Sequence, residues 1–412
     1  MSLAKRSIAV VVAALCLCIA VESWFALAHP LARLPVATVE QRELFKSMRS
    51  IEDETSSHGT QPYMVLLGSS LIVAPVVQAE SLHRQRAIQR FSERRATACE
   101  HALNSCMNRS ASQMNVRVFN AAIGGGMASD DYFIARAFLE AKNKPVALVC
   151  GIAPRDFQDN LVRGTYSTDA FQTLSNFSDL KTVFGDTSLS LDKKCDIALG
   201  RVSKLWRNRA DVRSYYGLVF KKLIEKVCPF VLFEKYGGTT MDLAPQKDGI
   251  FPEEVKGATF AYPGYELDHY ESAKTCQLFL RCYNPVNEHM VDEQFAYFER
   301  MLELARNHGV EILVVNMPLG RSNKKLLAQG FYESYLQRVR AVCARHDVQL
   351  TDFNTPLWDT DDNFIDTVHL SSLRSNSFIL TLMQAIADSP LSLALSGHQK
   401  LQIGAKSGSQ PQ

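Results

Sequence analysis

Two short stretches at opposite ends of the chain carry the side chains of a nucleophilic catalyst. Gly68-Ser69-Ser70-Leu71 closes the apolar run Tyr63-Met64-Val65-Leu66-Leu67, and Asp366-Thr367-Val368-His369 stands just before the last helical pattern. A serine in a tight turn at the carboxyl end of a strand is exposed where open α/β sheets bind ligands. An aspartate three residues before a histidine reaches the imidazole from the same loop and fixes its tautomer. Ser70 as nucleophile, His369 as base and Asp366 as its orienting carboxylate make a Ser-His-Asp hydrolase.

Two further loops hold groups that such chemistry needs. Asn120-Ala121-Ala122-Ile123-Gly124-Gly125-Gly126 follows a strand ending at Phe119. Glycines there let the backbone approach a ligand and aim N–H groups at a developing oxyanion, although the same residues also suit a plain strand–helix turn. A dinucleotide fingerprint is excluded, because its third glycine would fall at Ser129. Gly151-Ile152-Ala153-Pro154-Arg155-Asp156-Phe157 follows a strand ending at Cys150. Arg155 and Asp156 would face the same crevice as substrate-binding groups, or else pair with each other or cap the next segment. Asp359, Asp361 and Asn363 have the spacing of a calcium loop, but Phe364 replaces its glycine and Leu370 its final acid. No cysteine or histidine spacing suggests zinc, so neither a metal nor another cofactor is expected.

The elements that must position these loops alternate in type. Tyr63–Leu67, Val116–Phe119, Pro145–Cys150, Val310–Val315 and Val348–Leu350 read as short buried strands. Helical patterns lie at Gln78–Leu103, Asp130–Ala141, Asp292–Asn307, Tyr332–Arg345 and Ser371–Asp388. Such alternation indicates an α/β fold with a doubly wound, mostly parallel sheet. Residues 61–157 and 291–388 form its two halves. Residues 158–290 break the rhythm as an insertion, with a helix near Ser214–Lys226 and an aromatic loop at Phe260–Tyr265. It would act as a lid or merely buttress the core, and Tyr262 and Tyr265 would stack on sugars or fill its interior. Residues 29–60 read as an irregular stalk, and residues 389–412 as a disordered Ser/Gly/Gln/Lys-rich tail.

The amino terminus bears on location. Lys5-Arg6 precede an apolar run from Ile8 to Val21, which Trp24-Phe25-Ala26-Leu27-Ala28 extends past Glu22-Ser23. Residues 1–28 are either a signal peptide cut after Ala26-Leu27-Ala28 or a retained membrane anchor. With the positive charges on the amino side, everything after His29 is exported in both cases. Leu15 and Leu17, before Cys16 and Cys18, are too bulky for lipoprotein processing. A formal net charge of +2, with no long basic run, argues against nucleic acid as a partner. Export would permit disulfides among the other eight of the ten cysteines, with Cys99–Cys106 and Cys276–Cys282 the nearest pairs and Cys150 a free buried thiol.

In this order the four loops resemble the SGNH (GDSL-like) hydrolase superfamily, more narrowly its membrane-anchored, DltD-like branch, over roughly residues 60–157 and 290–388. Ser69 replaces the usual aspartate of the first block, and Ser70 takes the nucleophile position. The second block matches Ala121–Gly125, which makes Gly125 the first candidate oxyanion donor beside the Ser70 N–H, and Gly124 the fallback. Asp366-x-x-His369 matches the last block. The third block departs, since Gly-x-Asn-Asp becomes Gly-Ile-Ala-Pro-Arg-Asp and no asparagine supplies the third donor; Arg155 would substitute, whereas Asp156 cannot donate while ionised. Asn316, in Asn316-Met317-Pro318, would shape the site wall or bind substrate. The resemblance implies a three-layer α/β/α, flavodoxin-like fold with five parallel strands in the order 2-1-3-4-5. Ser70 and Gly151 would then flank the topological switch point. It further implies an extracytoplasmic esterase or O-acyltransferase acting on acylated glycans or other cell-envelope polymers. A membrane-anchored, non-catalytic scaffold that binds polysaccharide is the alternative.

Overall fold

A computed structural model of the protein describes residues 3–28, 39–57, 61–86, 88, 93–107, 116–187, 189–207 and 269–396, with scattered helical residues between 209 and 227. Five strands form one sheet: β1 (Tyr63–Gly68), β2 (Arg117–Asn120), β3 (Ala147–Ile152), β4 (Glu311–Asn316) and β5 (Gln349–Asp352). All pairings are parallel, and the order is β2-β1-β3-β4-β5. Every residue of β1, β2 and β3 is buried. Helices cover both faces, so these strands need apolar side chains on both sides rather than an alternating pattern. Met64, Leu66, Val118, Val149, Leu313 and Val315 share a core with Ile72, Leu382 and Met383 of one helical layer. The intervening residues point the other way, as the two-residue period of a strand requires. On that side Phe157 packs on Phe295 and Tyr335, at 4.3 and 5.3 Å between ring centroids. The fold is therefore three-layer α/β/α.

Several local readings are corrected. The pattern at 78–103 is two helices, Ser70–Arg84 and Thr97–Met107. The first ends where Gln85 takes a left-handed conformation, and Arg95 then forms an antiparallel bridge to Phe119 beside β2. The stalk contains a helix, Val39–Ser57, whose Leu44 and Ile51 are buried and whose Ser47 receives a hydrogen bond from Arg94 at 2.8 Å. Residues 391–396 of the expected tail are helical, with Leu391 and Leu395 buried one turn apart. Residues 397–412 lie outside the described residues. Cys99, Cys106, Cys276 and Cys282 are free thiols. Each nearest pair lies within a single helix. Seven and six residues of helix separate the α-carbons by about 10.5 and 9 Å, beyond the roughly 7 Å a disulfide spans. Cys150 is free and buried, as expected.

The chain divides into two compact units, residues 1–42 with 175–247 and residues 43–174 with 248–412. The larger unit claims more of the insertion than its sequence suggested. Phe171, Phe279, Cys282 and Tyr283 are all buried there. The smaller unit holds the helix Leu3–Ala28 and the short helices between Leu180 and Arg207. In it the Glu22 carboxylate accepts hydrogen bonds from the Ser203 hydroxyl at 2.8 Å, the Leu205 amide at 3.2 Å and the Lys204 amide. Among the described residues no helix is long and apolar enough to cross a membrane. The aromatic loop 260–265 and Cys228 lie outside the described residues, as does much of the stretch 214–226.

Candidate active site

Ser70 is the first residue of the helix Ser70–Arg84, directly after β1. The turn before it demands glycine. Gly68 has φ +136, and a β-carbon on it would lie 2.5 Å from the carbonyl oxygen of Gly151 on β3. The Ser69 carbonyl accepts the amides of Ile72 at 3.0 Å and Val73 at 3.2 Å, which closes the first helical turn. The N–H of Ser70 itself has no acceptor within its helix, as for any residue at this position.

The imidazole beside Ser70 arrives from a distant part of the chain. His369 Nε2 lies 2.8 Å from Ser70 Oγ, and His369 Nδ1 lies 2.7 Å from Asp366 Oδ2. The second Asp366 oxygen accepts the amides of Val368 and His369, both at 2.7 Å. Burial pushes the Asp366 carboxyl up, but the ring and backbone hydrogen bonds outweigh that effect and hold it below its usual range. An ionised carboxylate only accepts, so Nδ1 carries the imidazole proton and Nε2 is free to accept from Ser70. Antiparallel pairing of Phe364 with Leu370 holds this loop closed, and the carbonyl of His369 accepts the amide of Ile365 at 2.8 Å.

The glycine loop sits over the end of β1. Ala121 N donates to Leu66 O at 2.9 Å and Ile123 N to Gly68 O at 3.0 Å. Gly124 and Gly125 are exposed, and Gly125 has φ +73. Arg155 follows β3 in a one-turn helix, Pro154–Asp156, and donates from Nη2 to Asp159 Oδ2 at 2.5 Å. Asp159 is buried and also accepts the Leu161 amide at 2.9 Å. All four loops singled out from the sequence thus converge at the carboxyl edge of β1 and β3.

Behind Ser70 lies a set of buried carboxyls, of which the sequence singled out only Asp156. Asp156 is buried, accepts the Ala153 amide at 2.8 Å and lies beside the Ser69 side chain. Burial pushes its carboxyl up to about 7, against the pull of Arg155. Asp131 lies beside the Gly68 backbone and receives the Cys150 thiol at 3.6 Å. Burial first, then the charges of Asp156 and Asp130, raise it well above the ordinary carboxylate range. Asp130 caps its own helix through the Met127 amide at 2.9 Å, and burial raises it to about 6. Asp156 therefore supports the turn from beneath instead of facing a substrate. Its Oδ1, like those of Asp130 and Asp131, has no hydrogen-bond partner among the described residues. The pair Asp130-Asp131 after a glycine loop was the available sequence signal.

Asn316 is likewise committed to the framework. Buried at the end of β4, it donates to Tyr332 Oη at 3.2 Å and Asp352 Oδ1 at 2.9 Å, and accepts from Tyr335 Oη at 3.0 Å. These bonds fasten β4 to β5 and to the helix Phe331–Arg345 and leave no group for a ligand. In the loop that resembled a calcium site, Asp361 accepts the Ser322 amide and hydroxyl, both at 2.9 Å, and Asp359 pairs with Lys324 at 3.1 Å. No family model matches the chain, and no curated protein matches it in sequence.

Proposed function

We propose that the chain is an extracytoplasmic serine esterase or O-acyltransferase of the SGNH type, acting on acyl esters of cell-envelope polysaccharide. The observation that carries this reading is the continuous relay from Ser70 Oγ through His369 to Asp366, with links of 2.8 and 2.7 Å. Both distances lie within hydrogen-bond range and join a nucleophile, its base and the orienter of that base. Export rests on Lys5-Arg6 and the apolar run behind them. An envelope glycan as substrate, with acetyl as the simplest acyl group, comes from export together with the resemblance.

In this mechanism Ser70 Oγ forms a bond to the ester carbonyl carbon while its proton moves to His369 Nε2. The carbonyl π electrons collect on oxygen, where the N–H groups of Ser70 and Gly125 receive them. Each such donor is worth about 3 kcal/mol in the transition state. Asp366 holds the ring in place and stabilises the imidazolium that forms. Collapse of the intermediate breaks the ester C–O bond, and His369 returns the proton to the departing alcohol. Water or a sugar hydroxyl, deprotonated by His369, then takes the acyl group from Ser70.

Purified protein should hydrolyse p-nitrophenyl acetate, and Ser70→Ala should lower kcat by about 10^4-fold or more while the fold is retained. An inactive wild-type protein, or a cellular role unaffected by Ser70→Ala and His369→Ala, would favour the scaffold reading.

A further inference from the structure

The third loop departs from the pattern of the family the chain resembles, and the geometry shows what stands there instead. A β-carbon built on Gly125 would lie 3.6 Å from Arg155 Nη2 and 3.8 Å from Nη1, so the guanidinium head lies beside the exposed glycine loop. One N–H of Nη2 is taken by Asp159. Nη1 has no oxygen or nitrogen acceptor among the described residues. The side chain is 22% exposed while Asp159 is fully covered, so the clamp is fixed from the protein side and open towards the crevice. Asp159 is anchored in turn by the Leu161 amide. We propose that Arg155 is a catalytic residue, a charged third oxyanion donor that serves the Ser70 site from Nη1.

This assignment rests on the esterase reading and extends it. Two features favour an oxyanion over a permanent anion of the substrate as the group Arg155 receives. First, the guanidinium already has Asp159 as counter-charge, with Asp156 nearby. A paired cation binds a fixed anion weakly, yet still donates a hydrogen bond to charge that develops during reaction. Second, it stands against Gly125, whose amide with that of Ser70 makes up the other proposed oxyanion donors, and its position is set before substrate arrives. As the bond from Ser70 Oγ to carbon forms, the carbonyl electron pair shifts to oxygen and the Ser70 proton goes to His369. Arg155 keeps all its protons and supplies only the hydrogen bond.

The test uses the full-length chain with p-nitrophenyl acetate, an ester with no anionic group, and with a fluorophosphonate, whose adduct on serine mimics the tetrahedral intermediate. Arg155→Met should lower kcat by about 10^2–10^3-fold with KM moving less than about threefold, and should slow fluorophosphonate labelling in parallel. Arg155→Lys, which keeps a donor and the charge, should recover part of the loss and serves as the variant to measure should the methionine form not fold. Wild-type kcat in Arg155→Met, or in Arg155→Lys if only that variant folds, would overturn the proposal. So would a loss confined to KM, which would mark Arg155 as a ground-state anion binder. A wild-type protein that neither turns over the ester nor takes the fluorophosphonate would instead overturn the esterase reading. Labelling of Ser70 with an unimpaired Arg155→Met variant would remove Arg155 alone.

Discussion

Asp366 is surrounded by donors: the His369 ring and the amides of Val368 and His369. Because its folded value is lowered, the stability it adds is present above the ordinary carboxylate value and is lost as pH falls through that lowered value. Asp366→Asn would invert the donor pattern at Nδ1 and favour the wrong tautomer, so kcat should fall by about 10^4-fold with the fold intact. Asp156 has the opposite sign. With its folded value raised to about 7, the unfolded chain gives up this proton near the ordinary value while the folded protein retains it. Stability should therefore be greatest below the ordinary value, decline as pH rises to about 7, and level off above it. A series of melting temperatures between pH 4 and 8 should show this decline in the wild type and a shallower one in Asp156→Asn. Asp366 and His369 were legible in the sequence because three residues of one loop bring them together. The approach of Asp156 to Ser69, and of Asp131 to Gly68, brings together segments far apart in the chain, which no local spacing can disclose.

At the scale of elements, the helix that begins at Ser70 shows why part of the fold was hidden. From Leu71 to Ser81 nearly every residue is buried, and Pro75 lies inside the helix. A helix buried on all sides has no amphipathic period to read, and a proline argues against it. The Glu288–Asn307 helix has one exposed face, and its pattern placed it within a few residues. The turn before Ser70 is the most sensitive joint. Gly68→Ala would set a methyl against the Gly151 carbonyl at a φ that disfavours side chains, and should cost roughly 3 kcal/mol or more by denaturant titration. The composition of the segment after Pro390 suggests a tail, yet Leu391 and Leu395 fall on one helical face and are buried. Leu395→Ala should lower stability by about 2–5 kcal/mol, where a disordered tail would tolerate the change. In the smaller unit, Glu22→Gln should accelerate amide exchange at Lys204 and Leu205, whose N–H groups the carboxylate now receives.

Across the whole molecule, the order β2-β1-β3-β4-β5 accounts for how a serine near the front and a histidine near the end come together. The order turns back between β1 and β3, and the crevice opened there lies at the carboxyl ends of those strands. Strand-like runs alternating with helical patterns made this architecture readable, since each run was long enough to be buried and each loop carried its own signature. Contacts that cross between the layers, among them those that bind Asn316 into the framework, are set by the fold as a whole and had no such signature. The proposed catalysis depends on the hydroxyl of Ser70 being activated by an imidazole 299 residues away. Fluorophosphonate labelling of the full-length protein, mapped by peptide mass spectrometry, tests this most directly. Ser70 should be modified in the wild type and unmodified in a folded His369→Ala variant. Labelling of Ser70 at the same rate without His369, or no labelling of Ser70 in the folded wild type, would contradict it.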